Sequence, residues 1–318
     1  MYYIGIDIGG TNTVVGIVNQ SYKIISKISF KTAIPRSQES LCDDISLAIS
    51  KVLSNANISI DNIESIGIGA PGSVNGETGI VEFSSNLFYH NWPLADMIKE
   101  RTGKQTFIEN DANAAAYAEY LAGAAKGVKN AIVITLGTGI GSGIIIDGKI
   151  YSGSNYNGAE IGHMVIEHNG VECSCGRKGC YEKYASTSAL VRITKEFMQN
   201  AKSKDSLMFK LCSNDINKVS GRTAFTAAES NDALAKAVLD KFFDYLACGI
   251  INVINIFQPE ILCIGGGISK EGNKLLDPIM ERVKKERYSK HAKTQTKLCI
   301  AKLNNDAGII GAAMLKQN

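Results

Sequence analysis

The chain has 318 residues, 45% hydrophobic and 20% charged, enough to bury a substantial core and long enough for two globular lobes. Its 34 basic and 31 acidic residues give a formal net charge of +3 with no long single-sign run, which argues against a nucleic-acid or membrane-surface partner. The first seven residues, Met1-Tyr2-Tyr3-Ile4-Gly5-Ile6-Asp7, show no basic leader or small-residue cleavage site, so a cytoplasmic location is expected.

In chain order, residues 3–7, 13–18 and 23–32 read as extended, β-branched stretches, with the glycine turn Gly9-Gly10-Thr11-Asn12 closing a hairpin between the first two. Helical periodicity covers residues 37–54. The strand end Ile108-Glu109-Asn110-Asp111 runs into an alanine-rich helix over residues 112–122, and a change of lobe is expected near residue 115. Residues 131–151 repeat the opening plan around a second turn, Gly137-Thr138-Gly139-Ile140-Gly141. Two further helices are expected at 186–200 and 232–257, with a polar, weakly patterned surface segment between them. The most apolar stretch, 245–257, is well short of the roughly 20 residues needed to cross a bilayer. A third turn, Gly265-Gly266-Gly267, follows the buried strand 261–264, and residues 306–313 read as a closing helix.

Glycine turns let backbone N–H groups approach a phosphate without hindrance from a Cβ, and threonine hydroxyls there add donors. A dinucleotide-binding turn must open a helix, whereas Thr13-Val14-Val15 and Ser142-Gly143-Ile144 continue as strand. No G-x-x-x-x-G-K-[ST] occurs either. Each turn alone would serve as a plain hairpin; two of them, with Asp7 just before the first, point to a phosphate clamp with a Mg²⁺-side carboxylate. The third could seat a nucleotide base or simply turn the chain.

Of eight cysteines, Cys173, Cys175 and Cys180 crowd together, while Cys42, Cys212, Cys248, Cys263 and Cys299 are scattered and read as small core residues. With His163 the cluster forms H-x₉-C-x-C-x₄-C. Gly176 and Gly179 permit a tight loop, and Cys₃His saturates tetrahedral zinc, leaving no open position for chemistry. The expected role is structural.

Jointly, D-I-G-G-T-N-T at 7–13, A-P-G at 70–72, E-N-D-A-N-A-A at 109–115, L-G-T-G-I-G at 136–141, G-A-E-I-G-H at 158–163, C-S-C-G-R-K-G-C-Y-E at 173–182 and I-G-G-G-I-S at 264–269 resemble the ROK (repressor, open reading frame, kinase) family. The resemblance implies a two-lobed α/β, actin-like ATPase fold of the ribonuclease H-like, hexokinase type with its active site in the interlobe cleft. The small lobe would comprise residues 1–115 and 305–318; the large lobe, 116–304, would carry the zinc loop. It also implies that the first turn (Gly9, Gly10, Thr11, Asn12) and the second (Gly137, Thr138, Gly139) hold ATP phosphates. Asp7 then faces Mg²⁺, and Gly265, Gly266 and Gly267 lie near adenosine.

The family's sugar contacts fall on Asn110, Asp111, Glu160, His163 and Glu182, with Gly72 and Asn86 lining the same pocket. Asp111 becomes the general base; its position also reads as the N-cap of the alanine-rich helix, a place where a carboxylate stays ionised. His163 can ligate zinc through one ring nitrogen and donate to a sugar hydroxyl through the other. The family's repressors carry an added N-terminal helix-turn-helix, for which no room is expected with Asp7 at the seventh residue. A regulator that has lost catalysis is disfavoured because Asp7, Asp111 and both turns are present. Residues 86–94 and the full cysteine loop look most like bacterial glucokinases, with fructose, mannose, allose, N-acetylmannosamine, N-acetylglucosamine and β-glucosides as alternative substrates and polyphosphate as an alternative donor. A homodimer or homotetramer acting in glycolysis is expected.

Overall fold

In the computed structural model, which describes residues 1–318, the β-branched N-terminal segments form β1 (Tyr2–Ile8), β2 (Asn12–Asn19) and β3 (Ile24–Lys31). They pair antiparallel in sequence order. β4 (Ile63–Ala70) and β8 (Thr106–Asn110) then add parallel to β1, giving the sheet order β3-β2-β1-β4-β8. A small sheet of β5 (Ser73–Asn75), β6 (Ile80–Ser84) and β7 (Tyr89–Trp92) lies between β4 and β8 in sequence.

α1 (Gln38–Ala56) begins where the Ser37 side chain accepts from the Ser40 N–H and ends at Asn57 in the left-handed region. Its Leu41, Ile45, Ile49 and Val52 recur at helical spacing and enter the same core as Ile4, Ile6, Ile66 and Ile68. α2 (Leu94–Thr102) contributes Leu94 and Ile98 to that core.

α3 (Asp111–Ala122) continues past residue 115. It belongs with the N-terminal unit because Ala115 and Ala118 pack with Ala307 and Ile310 of α10 (Ala307–Ala313), together with Tyr22, Ile24 and Leu303. The compact unit so formed comprises Met1–Val133, Gly143–Ala159 and Lys302–Asn318.

The second unit comprises Ile134–Ser142 and Glu160–Ala301. A second five-stranded sheet has the order β11-β10-β9-β12-β13, from β9 (Ala131–Leu136), β10 (Ile140–Ile146), β11 (Lys149–Ile150), β12 (Ile261–Gly266) and β13 (Lys297–Ile300). Strands therefore follow both phosphate-type turns, as a hairpin reading requires and a dinucleotide-binding one forbids.

The helices of the second unit are α4 (Glu182–Ala185), α5 (Thr187–Gln199), α6 (Leu207–Leu211), α7 (Thr223–Glu229), α8 (Ala233–Phe257) and α9 (Asn273–Glu286). The polar stretch after residue 200 holds two of the shorter ones, α6 and α7. No helix is long and apolar enough to cross a membrane. Cys42, Cys212 and Cys263 are buried and Cys248 and Cys299 partly so.

Candidate active site

In the first unit, β1, β4 and β8 run parallel and in register, so that Asp7, Gly69 and Glu109 lie side by side near their C-terminal ends. This is the edge of an α/β sheet where ligands bind. Gly69 faces the start of α3: a Cβ there would meet the Asp111 Cα and the Ala114 methyl at 3.4 Å each, the near limit of ordinary contact. Next along, Gly72 has φ +108°, and a Cβ on it would strike the Phe83 carbonyl. The Gly72 carbonyl accepts from Asn110 Nδ2 at 3.1 Å. The exposed Asn86 lies against Gly10 of the first turn. Asp7, residues 9–12, Gly72, Asn86, Asn110 and Asp111 are thus gathered along one edge of this unit.

Two carboxylates in this edge affect each other. Burial, and secondarily the charge of Asp111, pushes the Asp7 pKa up to about 6. Burial also raises Asp111, against the opposing pull of the Ala112 N–H and its own backbone N–H. The sequence places Asp111 at the N-cap; the structure gives that role to Asn110, whose Oδ1 accepts from the N–H groups of Ala112 at 2.9 Å and Asn113 at 3.3 Å. A cap residue needs non-helical backbone, and Asn110 has it, at φ −59° and ψ 142°. Asp111 is the first helical residue, with Oδ1 accepting from Ala112 N at 2.8 Å. The helix terminus therefore favours the Asp111 carboxylate, but desolvation is the larger effect and moves its proton affinity in the direction suited to a base.

In the second unit, the turn at 137–139 closes with Gly137 N–H donating to the Gly139 carbonyl at 3.0 Å, and its Gly137 carbonyl accepts from Thr187 N–H at 2.9 Å. The turn at 265–267 is its neighbour, since a Cβ on Gly266 would meet the main chain of Leu136. Glu182 lies against Gly139, where its carboxylate occupies the space a side chain would need. Its Oε1 also accepts from Cys173 Sγ at 3.2 Å.

Around it the metal-type residues converge. His163 Nδ1 is 3.6 Å from Cys173 Sγ, and Cys175 Sγ is 3.6 Å from Cys180 Sγ. All four donor atoms lie within 4.8 Å of one another. A tetrahedron with metal–sulfur bonds of about 2.3 Å has edges of about 3.8 Å, so the cluster fits a zinc-sized cation. The short loop is held by Cys173 N–H donating to the Arg177 carbonyl at 2.8 Å and by Gly179, whose φ of +84° and contact with the Glu167 carbonyl admit no side chain. Burial and the adjoining thiols push Cys180 up to about 12, so a thiolate set here needs a cation beside it. The other ring nitrogen of His163, Nε2, faces Glu160 Oε2 at 4.0 Å.

The geometry adds residues to which the motifs assign no role. Glu109 is a buried carboxylate, 7% exposed. Its Oε1 accepts from Asn110 N–H at 2.8 Å and Asn113 Nδ2 at 3.0 Å, and its Oε2 from Ser152 Oγ at 3.1 Å. It ties the end of β8, the first turn of α3 and the segment after β11 together. A glutamate directly after the apolar pair Phe107-Ile108 of a strand was the available signal, since such a residue is buried only when bonded; its partner Ser152 carried none.

The ROK family model matches residues 3–318. A glucokinase of Thermotoga maritima is 39% identical over 313 residues, 98% of this chain and 96% of that protein. A xylose repressor of Bacillus subtilis is 31% identical over 290 residues, 91% of this chain but 70% of the repressor. Among solved structures, a ROK family glucokinase from Streptomyces griseus in complex with glucose and AMPPNP superposes with a TM-score of 0.84 at 33% identity, covering 100% of both chains. Matched along nearly its whole length, the chain belongs to the ROK family and has the actin-like ATPase fold of that family's hexokinases.

Proposed function

We propose that this protein is an ATP-dependent hexokinase that transfers the γ-phosphoryl group to glucose, giving glucose 6-phosphate. The observation that carries the reading is the half-buried pair Asp7 and Asp111 at one sheet edge beside a glycine turn, in a chain 39% identical to a glucokinase. Asp111 accepts the proton of the sugar hydroxyl as that oxygen attacks phosphorus. Burial raises its proton affinity, the direction that helps the transfer. In the first unit Asn110 is a hydroxyl partner, with Gly72 and Asn86 lining the pocket beside it, and in the second Glu160, His163 and Glu182 are, since carboxylate, amide and imidazole groups pair with adjacent hydroxyls.

The N–H groups of residues 9–12 and 137–139 hold phosphates, and residues 265–267 flank the adenosine. Asp7 fits Mg²⁺: an oxygen donor next to the phosphate turn, raised in pKa by burial, gains most from a nearby cation. Bound Mg²⁺ would neutralise charge on the transferring phosphoryl group. His163, Cys173, Cys175 and Cys180 would hold a structural Zn²⁺, which orders the loop carrying Glu182. We place the protein in the cytoplasm as a homodimer or homotetramer acting in carbohydrate metabolism.

The test is ADP release with Mg²⁺ and ATP over a panel of glucose, fructose, mannose, allose, N-acetylmannosamine and N-acetylglucosamine. Glucose is expected to give the highest kcat/KM. A higher value for another sugar would change the substrate, and no sugar-dependent ADP release at all would remove the kinase reading in favour of a sugar-responsive regulator.

A further inference from the structure

We infer that Thr32, which belongs to none of the glycine motifs, is a positioning residue that aims the backbone N–H groups of the 9–12 turn at the nucleotide phosphates; the inference rests on reading that turn as a phosphate cradle. Thr32 follows the last residue of β3 and is 0% exposed. Its Oγ1 donates to the Gly9 carbonyl at 2.6 Å. It lies 3.0 Å from Thr13 Oγ1, itself fully buried. A hydroxyl has one proton, so with Thr32 donating to Gly9 it is Thr13 that donates to Thr32. The main chain completes the grip, since Thr32 N–H donates to the Thr11 carbonyl at 3.0 Å.

One residue therefore fixes two carbonyls of the turn, those of Gly9 and Thr11. These peptide bonds are trans, so in each the N–H of the following residue points opposite to the C=O. Pinning the Gly9 and Thr11 carbonyls towards Thr32 turns the N–H groups of Gly10 and Asn12 away from it, in a turn whose residues 10–12 are exposed. The Gly9 N–H is already committed to the Asn12 carbonyl at 3.0 Å. What is left is a pair of N–H groups directed away from Thr32, donors of the kind that bind an anion such as a nucleotide phosphate. Without the Thr32 hydroxyl, the Gly9 carbonyl and the Thr13 hydroxyl lose a buried partner, and the peptide between two glycines is free to rotate.

Calorimetric titration of the full chain with Mg²⁺ and AMPPNP, alongside KM values for ATP and glucose, tests this. Thr32→Val, which keeps the shape and removes the hydroxyl, is expected to weaken AMPPNP binding and raise the KM for ATP about tenfold. The KM for glucose should stay within about twofold, Thr32→Ser should restore AMPPNP affinity to within about twofold, and Thr13→Val, which leaves the Gly9 bond in place, should lose no more than about threefold. If valine does not fold at this position, Thr32→Ala removes the same hydroxyl and carries the comparison. Wild-type affinity in the hydroxyl-free variant, failure of serine to restore it, or an equal rise in the glucose KM would overturn the assignment and leave Thr32 a packing residue. Absence of AMPPNP binding by the wild-type chain is a separate result, and would overturn the phosphate-cradle reading together with this inference.

Discussion

Replacing Asp7 by asparagine should make the nucleotide-free protein more stable at pH 8 and less active. Asp7 titrates near 6 in the folded chain against an ordinary value of 3.8, because it is buried and faces Asp111. The folded state thus holds the Asp7 proton more tightly than the unfolded state does, and above pH 6 the ionised carboxylate weighs against folding. At about 1.4 kcal/mol per tenfold in proton affinity, the penalty is about 3 kcal/mol at pH 8 and shrinks to about 1 kcal/mol at pH 4.5, vanishing as pH falls below 3.8. Asparagine has nearly the same shape and no charge. Urea unfolding of wild type and Asp7→Asn at the two pH values, with unchanged m, measures the difference directly. An equal gain at both pH values, or none at pH 8, would refute the claim that a desolvated charge sits at this position. The kinase reading adds the opposite effect on turnover: with the Mg²⁺-facing carboxylate gone, kcat/KM for ATP should fall by at least about 10².

Asp111→Asn should lower kcat by about 10² or more while retaining the fold, because an asparagine Oδ1 can still accept from the Ala112 N–H; turnover within tenfold of wild type would remove Asp111 as base. The same variant takes away the negative charge facing Asp7, so the pKa of Asp7, followed by carboxyl-carbon NMR, should move down from about 6; an unmoved resonance would mean the two carboxylates do not interact. Cys175→Ser alters the one exposed thiol of the metal cluster and should reduce bound zinc, by elemental analysis, together with glucose affinity by calorimetry; full sugar affinity in a folded zinc-poor sample would uncouple the loop from the sugar. Glu109→Gln cannot keep all three of its acceptor bonds and should cost about 1–3 kcal/mol in urea unfolding, a loss that an unchanged midpoint would disprove.

The fold was legible wherever one local rule sufficed. Strand residues after both glycine turns argue against a helix-opening nucleotide site, and β2 and β10 follow those turns. The helices at 38–56, 187–199 and 233–257 follow from apolar spacing and from caps at Ser37, Ser186 and Asp232. The metal cluster was legible because its ligands are close in sequence as well as in space, so spacing alone constrains them.

What was not legible depends on pairings between distant segments. Asp111 and Asn110 are adjacent polar residues at a strand-to-helix junction, and either could cap the helix by composition; the extended backbone at Asn110, set by its pairing with Ala70 on β4, decides it. The raised proton affinity of Asp7 likewise comes first from burial in the folded sheet and second from the charge of Asp111, about a hundred residues away in sequence and brought near by the parallel alignment of β1, β4 and β8. Thr32 shows the same limit more sharply. A threonine at the end of an alternating strand has no chemical signature, and it acquires a role only because β3 pairs with β2 in the register that brings residue 31 opposite residue 12. A shift of one residue would turn its hydroxyl to the other face of the sheet, away from the Gly9 carbonyl, with every motif residue unchanged. The motifs therefore name the candidate substrate contacts, while strand register determines which otherwise ordinary residues lie against them.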